Sequence, residues 1–117
     1  MKSIIKIKEN YVFRRAYRQG NALVCPFAVV YVLKNPRVNV RLGITTGKKI
    51  GNAVSRNRAR RVITAAFRSV LPTISCGYDF VIVARSRILT AKSTKVADSF
   101  ERIFKEAGLL TDLECDE

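Results

Sequence analysis

Ala59, Val62, Ile63, Ala66, Phe67 and Val70 fall at i, i+3, i+4, i+7, i+8 and i+11, a spacing that an α-helix gathers onto one side. Such a stripe must be covered by another layer, so the chain has to build something for this helix to lie on. The predicted helix spans residues 52–71 and stops at Pro72, which cannot continue it. At roughly 100° per residue, Asn57, Arg61, Thr64 and Arg68 point away from the stripe, and Arg56, Arg58 and Arg60 flank it. One side is therefore committed to the core and the rest is strongly cationic.

That cationic character extends well beyond the helix. Between Asn10 and Tyr78 there are thirteen Lys and Arg residues and no Asp or Glu. A solvated helix face ordinarily interleaves acids to form i,i+4 pairs, and this one has none. The natural partner of so much unneutralised charge is a polyanion, whose counterions are released when cationic side chains replace them. The net charge is +13, and seven of the nine acids (Asp98, Glu101, Glu106, Asp112, Glu114, Asp116, Glu117) lie in the last twenty positions. The chain reads as a basic body with an acidic end.

The remaining segments supply the other layer. Asn10 is a candidate cap for a first helix ending near Gln19, with Gly20 as a left-handed terminator. Phe27–Leu33 is almost wholly β-branched or aromatic, and Val38, Val40, Leu42 and Ile44 alternate along residues 38–46. The turn chemistry of Lys34-Asn35-Pro36-Arg37 favours an antiparallel pairing of these two runs. Leu23-Val24-Cys25 adds a candidate edge strand, and Phe80–Ala84 reads as a buried strand. A last helix over residues 92–107 offers Val96, Ala97, Phe100, Ile103 and Phe104 to the core. The expected fold is α+β, a sandwich with a small mixed four-stranded sheet and helices mainly on one face. Residues 1–110 form a single domain and 111–117 a flexible acidic tail. At 48% apolar residues the chain can fill a core.

The inventory of reactive groups is short. There is no histidine, which removes the commonest general base and metal ligand. Glu9 and Asp79 are the only acids outside the terminal cluster, and their separation suggests no carboxylate pair for acid–base or two-metal hydrolysis. Ser55 lacks a histidine partner. Cys25, Cys76 and Cys115 are odd in number and widely spaced, which argues against a disulfide framework or zinc site. No run approaches a membrane span, so a cytoplasmic, soluble protein is expected.

The basic segment suits phosphate. Gly51 permits an unusual backbone angle and Asn52 can cap the following helix. Free amides at that helix start and arginine forks grip phosphates. Phe13, Tyr17 and Tyr31 allow two readings, as core side chains or as base-stacking rings. Arg14, Arg15 and Arg18 beside the first two give the combination of ring and cation that single strands require.

The run Lys48-Lys49-Ile50-Gly51-Asn52-Ala53-Val54-Ser55-Arg56-Asn57-Arg58-Ala59-Arg60-Arg61 resembles the signature of the bacterial ribonuclease P protein component, whose core is an Arg-Asn-Arg motif on a basic helix. Asn10–Gly20, Val40–Ile44 and Tyr78–Arg85 resemble that family's first helix, the strand before its motif and its final strand. Tyr17 stands where phenylalanine is common, and Thr64 where another basic residue often extends the stripe.

The resemblance implies a ribosomal-protein-S5-like sandwich with a left-handed βαβ crossover. It implies an accessory subunit of a ribozyme, in which a large RNA carries the active site and the magnesium ions and removes the 5′ leader of precursor tRNA. No catalytic residue is implied in the protein, and the magnesium ions are bound mainly by the RNA, none by the protein alone. Catalytic-RNA contacts fall on Lys48, Lys49, Arg56, Asn57, Arg58, Arg60, Arg61 and Arg68, and the leader cleft on Phe13, Arg14, Tyr17 and Tyr31. The partners implied are ribonuclease P RNA, at one protein per RNA, and precursor tRNA. The competing class is a plain RNA-binding module, a ribosomal protein or RNA chaperone without a part in tRNA processing.

Overall fold

A computed structural model describes residues 3–36 and 39–111. In chain order these give β1 (Ile4–Lys6), α1 (Asn10–Gln19), β2 (Asn21–Val24), β3 (Ala28–Lys34), β4 (Val40–Thr45), α2 (Ala53–Val70), β5 (Tyr78–Ala84) and α3 (Ser93–Glu106). Short 3-10 turns occupy Lys48–Ile50, Leu71–Thr73 and Ser86–Thr90. The α+β expectation holds, but the sheet has five strands in the order β1-β4-β5-β3-β2. The additional strand is β1, which pairs in parallel with β4 from Ile4↔Val40 to Lys6↔Leu42. Three residues broken by lysine carry too little periodicity to announce a strand.

The expected antiparallel pairing of β3 with β4 does not form. Instead β5 lies between them, antiparallel to β3 and parallel to β4. Its sequence explains the place. Phe80, Val81 and Ile82 are fully buried in succession, and a strand apolar on both faces belongs at the centre of a sheet covered on both sides. Successive side chains point to opposite faces. Phe80 and Ile82 accordingly join the large core beneath α2 and α3, whereas Val81 joins Ile7, Val12 and Ala16 beneath α1. Two helices thus cover one face and one the other.

The predicted stripe of α2 is largely buried, with Ala59, Ile63, Ala66, Phe67 and Val70 facing inward. Phe67, Phe80 and Phe104 meet edge-on or tilted with centroids 5.3–6.2 Å apart, the arrangement that ring quadrupoles favour. Burial of each such side chain contributes about 1.5–3 kcal/mol.

Both ends of α1 differ from expectation. Glu9, not Asn10, occupies the cap position, without a side-chain hydrogen bond, and Gly20 has φ −76° rather than a left-handed angle. Gly20 answers a shortage of space. A Cβ there would stand 2.6 Å from the Ala16 carbonyl oxygen and 3.1 Å from that of Val32, where the helix end passes over β3. Cys25 is buried and free, but Cys76 is disulfide-bonded, against the expectation of no disulfide. Spacing along the chain does not report which cysteines a fold brings together. Residues 112–117 of the expected tail lie outside the described residues, as do Arg37 and Val38.

Candidate nucleic-acid interface

The start of α2 is built as the sequence anticipates. Gly51 sits at φ +122°, a conformation that L side chains rarely adopt. Asn52 Oδ1 then accepts the Ser55 N–H at 3.0 Å, satisfying one free donor of the first turn. Arg56 Nε donates to the Gly51 carbonyl at 3.1 Å, so the guanidinium folds back over the turn. Arg58 Nε donates to the Leu89 carbonyl at 3.1 Å and Arg60 Nη1 to the Ile44 carbonyl at 3.2 Å. These two arginines therefore leave α2 in different directions, one toward the 3-10 turn after β5 and the other toward β4.

Each anchor uses one of five guanidinium donors, which fixes the group while leaving donors for a ligand. Lys48, Lys49, Arg56, Asn57, Arg58, Arg60, Arg61 and Arg68 are all exposed. Among the described residues, the ion pairs to carboxylates involve Arg41 and Arg102, not the cations of this segment. No carboxylate among the described residues pairs with them.

Among the described residues of the acid-free stretch, Arg41 is the cation that meets carboxylates. Its guanidinium lies 3.7 Å from Glu9 and 3.6 Å from Asp79, and Asp79 also accepts from Asn35 Nδ2 at 2.8 Å. Two acids seventy residues apart thus meet around one arginine. The arrangement fastens the start of α1 to the centre of the sheet. With a guanidinium already between these carboxylates, they do not fit a divalent metal ion.

The face of the sheet beside α1 carries a groove of about 440 Å³ lined by Asn10, Phe13, Arg14, Tyr17 and Thr45. A second hollow of about 230 Å³, lined by Phe13, Gly43, Lys6, Arg60, Thr64 and Arg68 among others, meets it at Phe13. Tyr17 is 42% exposed and contacts Tyr31 edge-on, with centroids 5.1 Å apart. Phe13 and Tyr31 are half-buried against the small core under α1. The two readings of these aromatics therefore both apply: one side of the ring packs and the other borders open space.

Phe13 owes its position to Gly43, where an added Cβ would stand 2.6–2.8 Å from the ring. Gly43→Ala is expected to push the ring outward and cost about 1–3 kcal/mol by overpacking. The temperature of thermal unfolding should fall, and an unchanged value would show that the ring yields freely. Sequence reading missed Gly43, Thr45 and Asn10 as lining residues. An isolated glycine inside a strand is the signal that was there to read.

Phe13, Arg14 and Tyr17 line the groove, and Tyr31 lies behind it against Tyr17. The fold separates the α2 residues, however, because Arg60 and Arg68 line the hollow beside Phe13 while Arg58 faces the opposite flank.

A cationic helix with no carboxylate partner among the described residues, flanked by a groove with exposed ring and guanidinium, has the features of an RNA-binding protein. The family Ribonuclease P matches over residues 1–108. The ribonuclease P protein component of Natranaerobius thermophilus is 36% identical over 94% of this chain and 96% of its own length. That of Clostridium acetobutylicum is 36% identical over 90% of both chains. The solved structure of the Staphylococcus aureus protein superposes with TM-score 0.78 at 32% identity, covering 91% of this chain and 97% of its own. The Thermotoga maritima protein gives TM-score 0.77 at 25% identity, covering 86% and 96%. The chain belongs to the ribonuclease P protein family.

Proposed function

We propose that this chain is the protein subunit of the ribonuclease P ribonucleoprotein, which removes the 5′ leader from precursor tRNA. The RNA subunit performs the hydrolysis and holds the magnesium ions. The protein binds that RNA through the basic segment at residues 48–61 and holds the single-stranded leader in the groove beside α1. One protein per RNA, in the cytoplasm, completes the reading.

The observation that carries it is the pairing of an unneutralised basic helix with an aromatic groove on its flank. Arginine forks suit the phosphates of a folded RNA, and the exposed Tyr17 ring suits a splayed base. Asn10 and Thr45 at the groove wall add amide and hydroxyl groups able to meet base edges. No group in the protein needs to move a proton or attack a phosphate for this role.

Reconstitution with ribonuclease P RNA at low magnesium tests the assignment. Adding the protein should raise cleavage of precursor tRNA strongly, whereas a general RNA chaperone would raise it little. Cleavage by the purified protein with no RNA subunit present would overturn the reading.

Phe13→Ala gives a finer test of the groove. Affinity for a substrate with a leader should drop by about 1–3 kcal/mol, with mature-tRNA affinity nearly unaltered. Equal losses for both substrates would assign the ring to packing alone.

A further inference from the structure

A second acid-free run follows Asp79. Residues 80–97 contain Arg85, Arg87, Lys92 and Lys95 and no Asp or Glu. The fold brings the start of this run against the basic segment. The parallel strands β4 and β5 end side by side, and each passes into a 3-10 turn, Lys48–Ile50 and Ser86–Thr90. These two turns pack on each other. Arg58 reaches across from α2 to donate to the Leu89 carbonyl at 3.1 Å, joining the three elements into one surface.

Arg87 is exposed, and its guanidinium carbon lies 5.9 Å from the centroid of the Phe27 ring. A cation held over a ring face loses part of its rotameric freedom before any ligand arrives. Arg85 is likewise tied to the backbone, through Nη1 to the Cys25 carbonyl at 3.4 Å. Lys92 stands exposed at the cap of α3, directly after the turn. Among the described residues none of these cations has a carboxylate partner.

We infer that the surface docking onto the catalytic RNA continues past α2 onto the Ser86–Thr90 turn, where Arg87 and Lys92 contact backbone phosphates of the folded RNA. This rests on the proposed role as ribonuclease P subunit and assigns it contacts beyond the Arg-Asn-Arg segment. The partner is the folded RNA and not the leader, for two reasons. The ring at this end, Phe27, is partly buried against the core and has Arg87 over it, so it is a poor platform for a base to stack on. The surface also lies on the Arg58 flank of α2, whereas the aromatic groove lies on the Arg60 flank. What remains is a set of fixed cations, the equipment for reading phosphate positions and helix shape.

The experiment measures binding of the full-length double variant Arg87→Gln, Lys92→Gln to ribonuclease P RNA across salt concentrations, beside the motif variant Arg61→Ala. It also measures the ratio of precursor to mature tRNA affinity in the reconstituted holoenzyme. The double variant should bind the RNA more weakly, with a log–log salt slope shallower by about 1.4–1.8, from roughly 0.7–0.9 per contact. The leader-dependent ratio should stay as in the wild type. Arg87→Lys should keep the slope but lose affinity, because an ammonium does not reproduce the flat fork over the ring.

An unchanged slope in the double variant, with a flattened slope for Arg61→Ala, overturns the extension and leaves the proposed function standing. A changed leader ratio with unchanged RNA binding assigns the turn to the leader and also overturns the inference. Unchanged slopes for all the variants would defeat both readings together.

Discussion

Arg56→Ala combined with Arg61→Ala is expected to weaken binding to ribonuclease P RNA and to flatten its salt dependence by about 1.4–1.8 log units per decade of salt. The reasoning starts from the acid-free run. Neither guanidinium has a carboxylate partner among the described residues, so removing it relieves no internal pair and subtracts directly from attraction to phosphate. Both side chains are exposed, and alanine is the best helix former, so α2 should lose little stability in itself. Arg56 has one further duty, since its Nε holds the Gly51 carbonyl at 3.1 Å. Its removal should loosen the turn that presents Lys48 and Lys49, so the double variant should lose more affinity than two phosphate contacts alone account for, while the slope changes by two contacts. The check is a titration of binding against salt, with circular dichroism to verify that helix content is kept. A slope equal to that of the wild type would exclude both residues from the interface.

Asp79→Ala should cost about 3–5 kcal/mol of folding stability, the size expected when one member of a buried ion pair is removed. Asp79 is 0% exposed and sits at the centre of the sheet. Without it the largely buried Arg41 keeps its charge with Glu9 alone, and Asn35 Nδ2 loses its acceptor. A largely buried cation left with one half-exposed partner is expensive, and domains of this size have only about 5–15 kcal/mol in total. Replacing both partners with apolar residues, Asp79→Leu with Arg41→Met, should cost much less than the sum of the single changes. Urea unfolding of the four proteins in this cycle measures the coupling. A strictly additive double variant would mean that the pair contributes no coupling. Glu9 keeps Arg41 as its partner in the single variant, so the start of α1 and the groove containing Phe13 and Tyr17 should hold until the fold itself fails.

How much of this was legible in the chain depends on the range of the interaction concerned. The stripe from Ala59 to Val70, the capping by Asn52 and the strained angle at Gly51 are set by residues within one or two helical turns. Local reading placed them correctly. That Phe13, Arg14, Tyr17 and Tyr31 belong together was implied by the family resemblance, since periodicity alone left these rings between core and ligand; in the fold the first three line the groove and Tyr31 packs against Tyr17. Errors cluster where space or distant partners decide. Gly20 looked like a left-handed terminator and is instead the residue that fits against the Ala16 carbonyl. The turn at 34–37 suggested neighbouring strands, yet its hairpin opens around β5 because a doubly apolar strand takes the middle of the sheet.

By itself the sequence determined that this protein has a one-sided basic helix, a mixed α+β core and an unneutralised charge that only a polyanion can answer. Those are properties of composition and of short-range periodicity, carried by each segment wherever it sits. Tertiary structure alone decided that Arg60 and Arg68 border the aromatic groove while Arg58 turns toward the Ser86–Thr90 segment. It also decided that Glu9 and Asp79, remote along the chain, share Arg41. Strand order brings such residues together, and strand order follows from which apolar faces must be buried against each other, a choice no single segment contains.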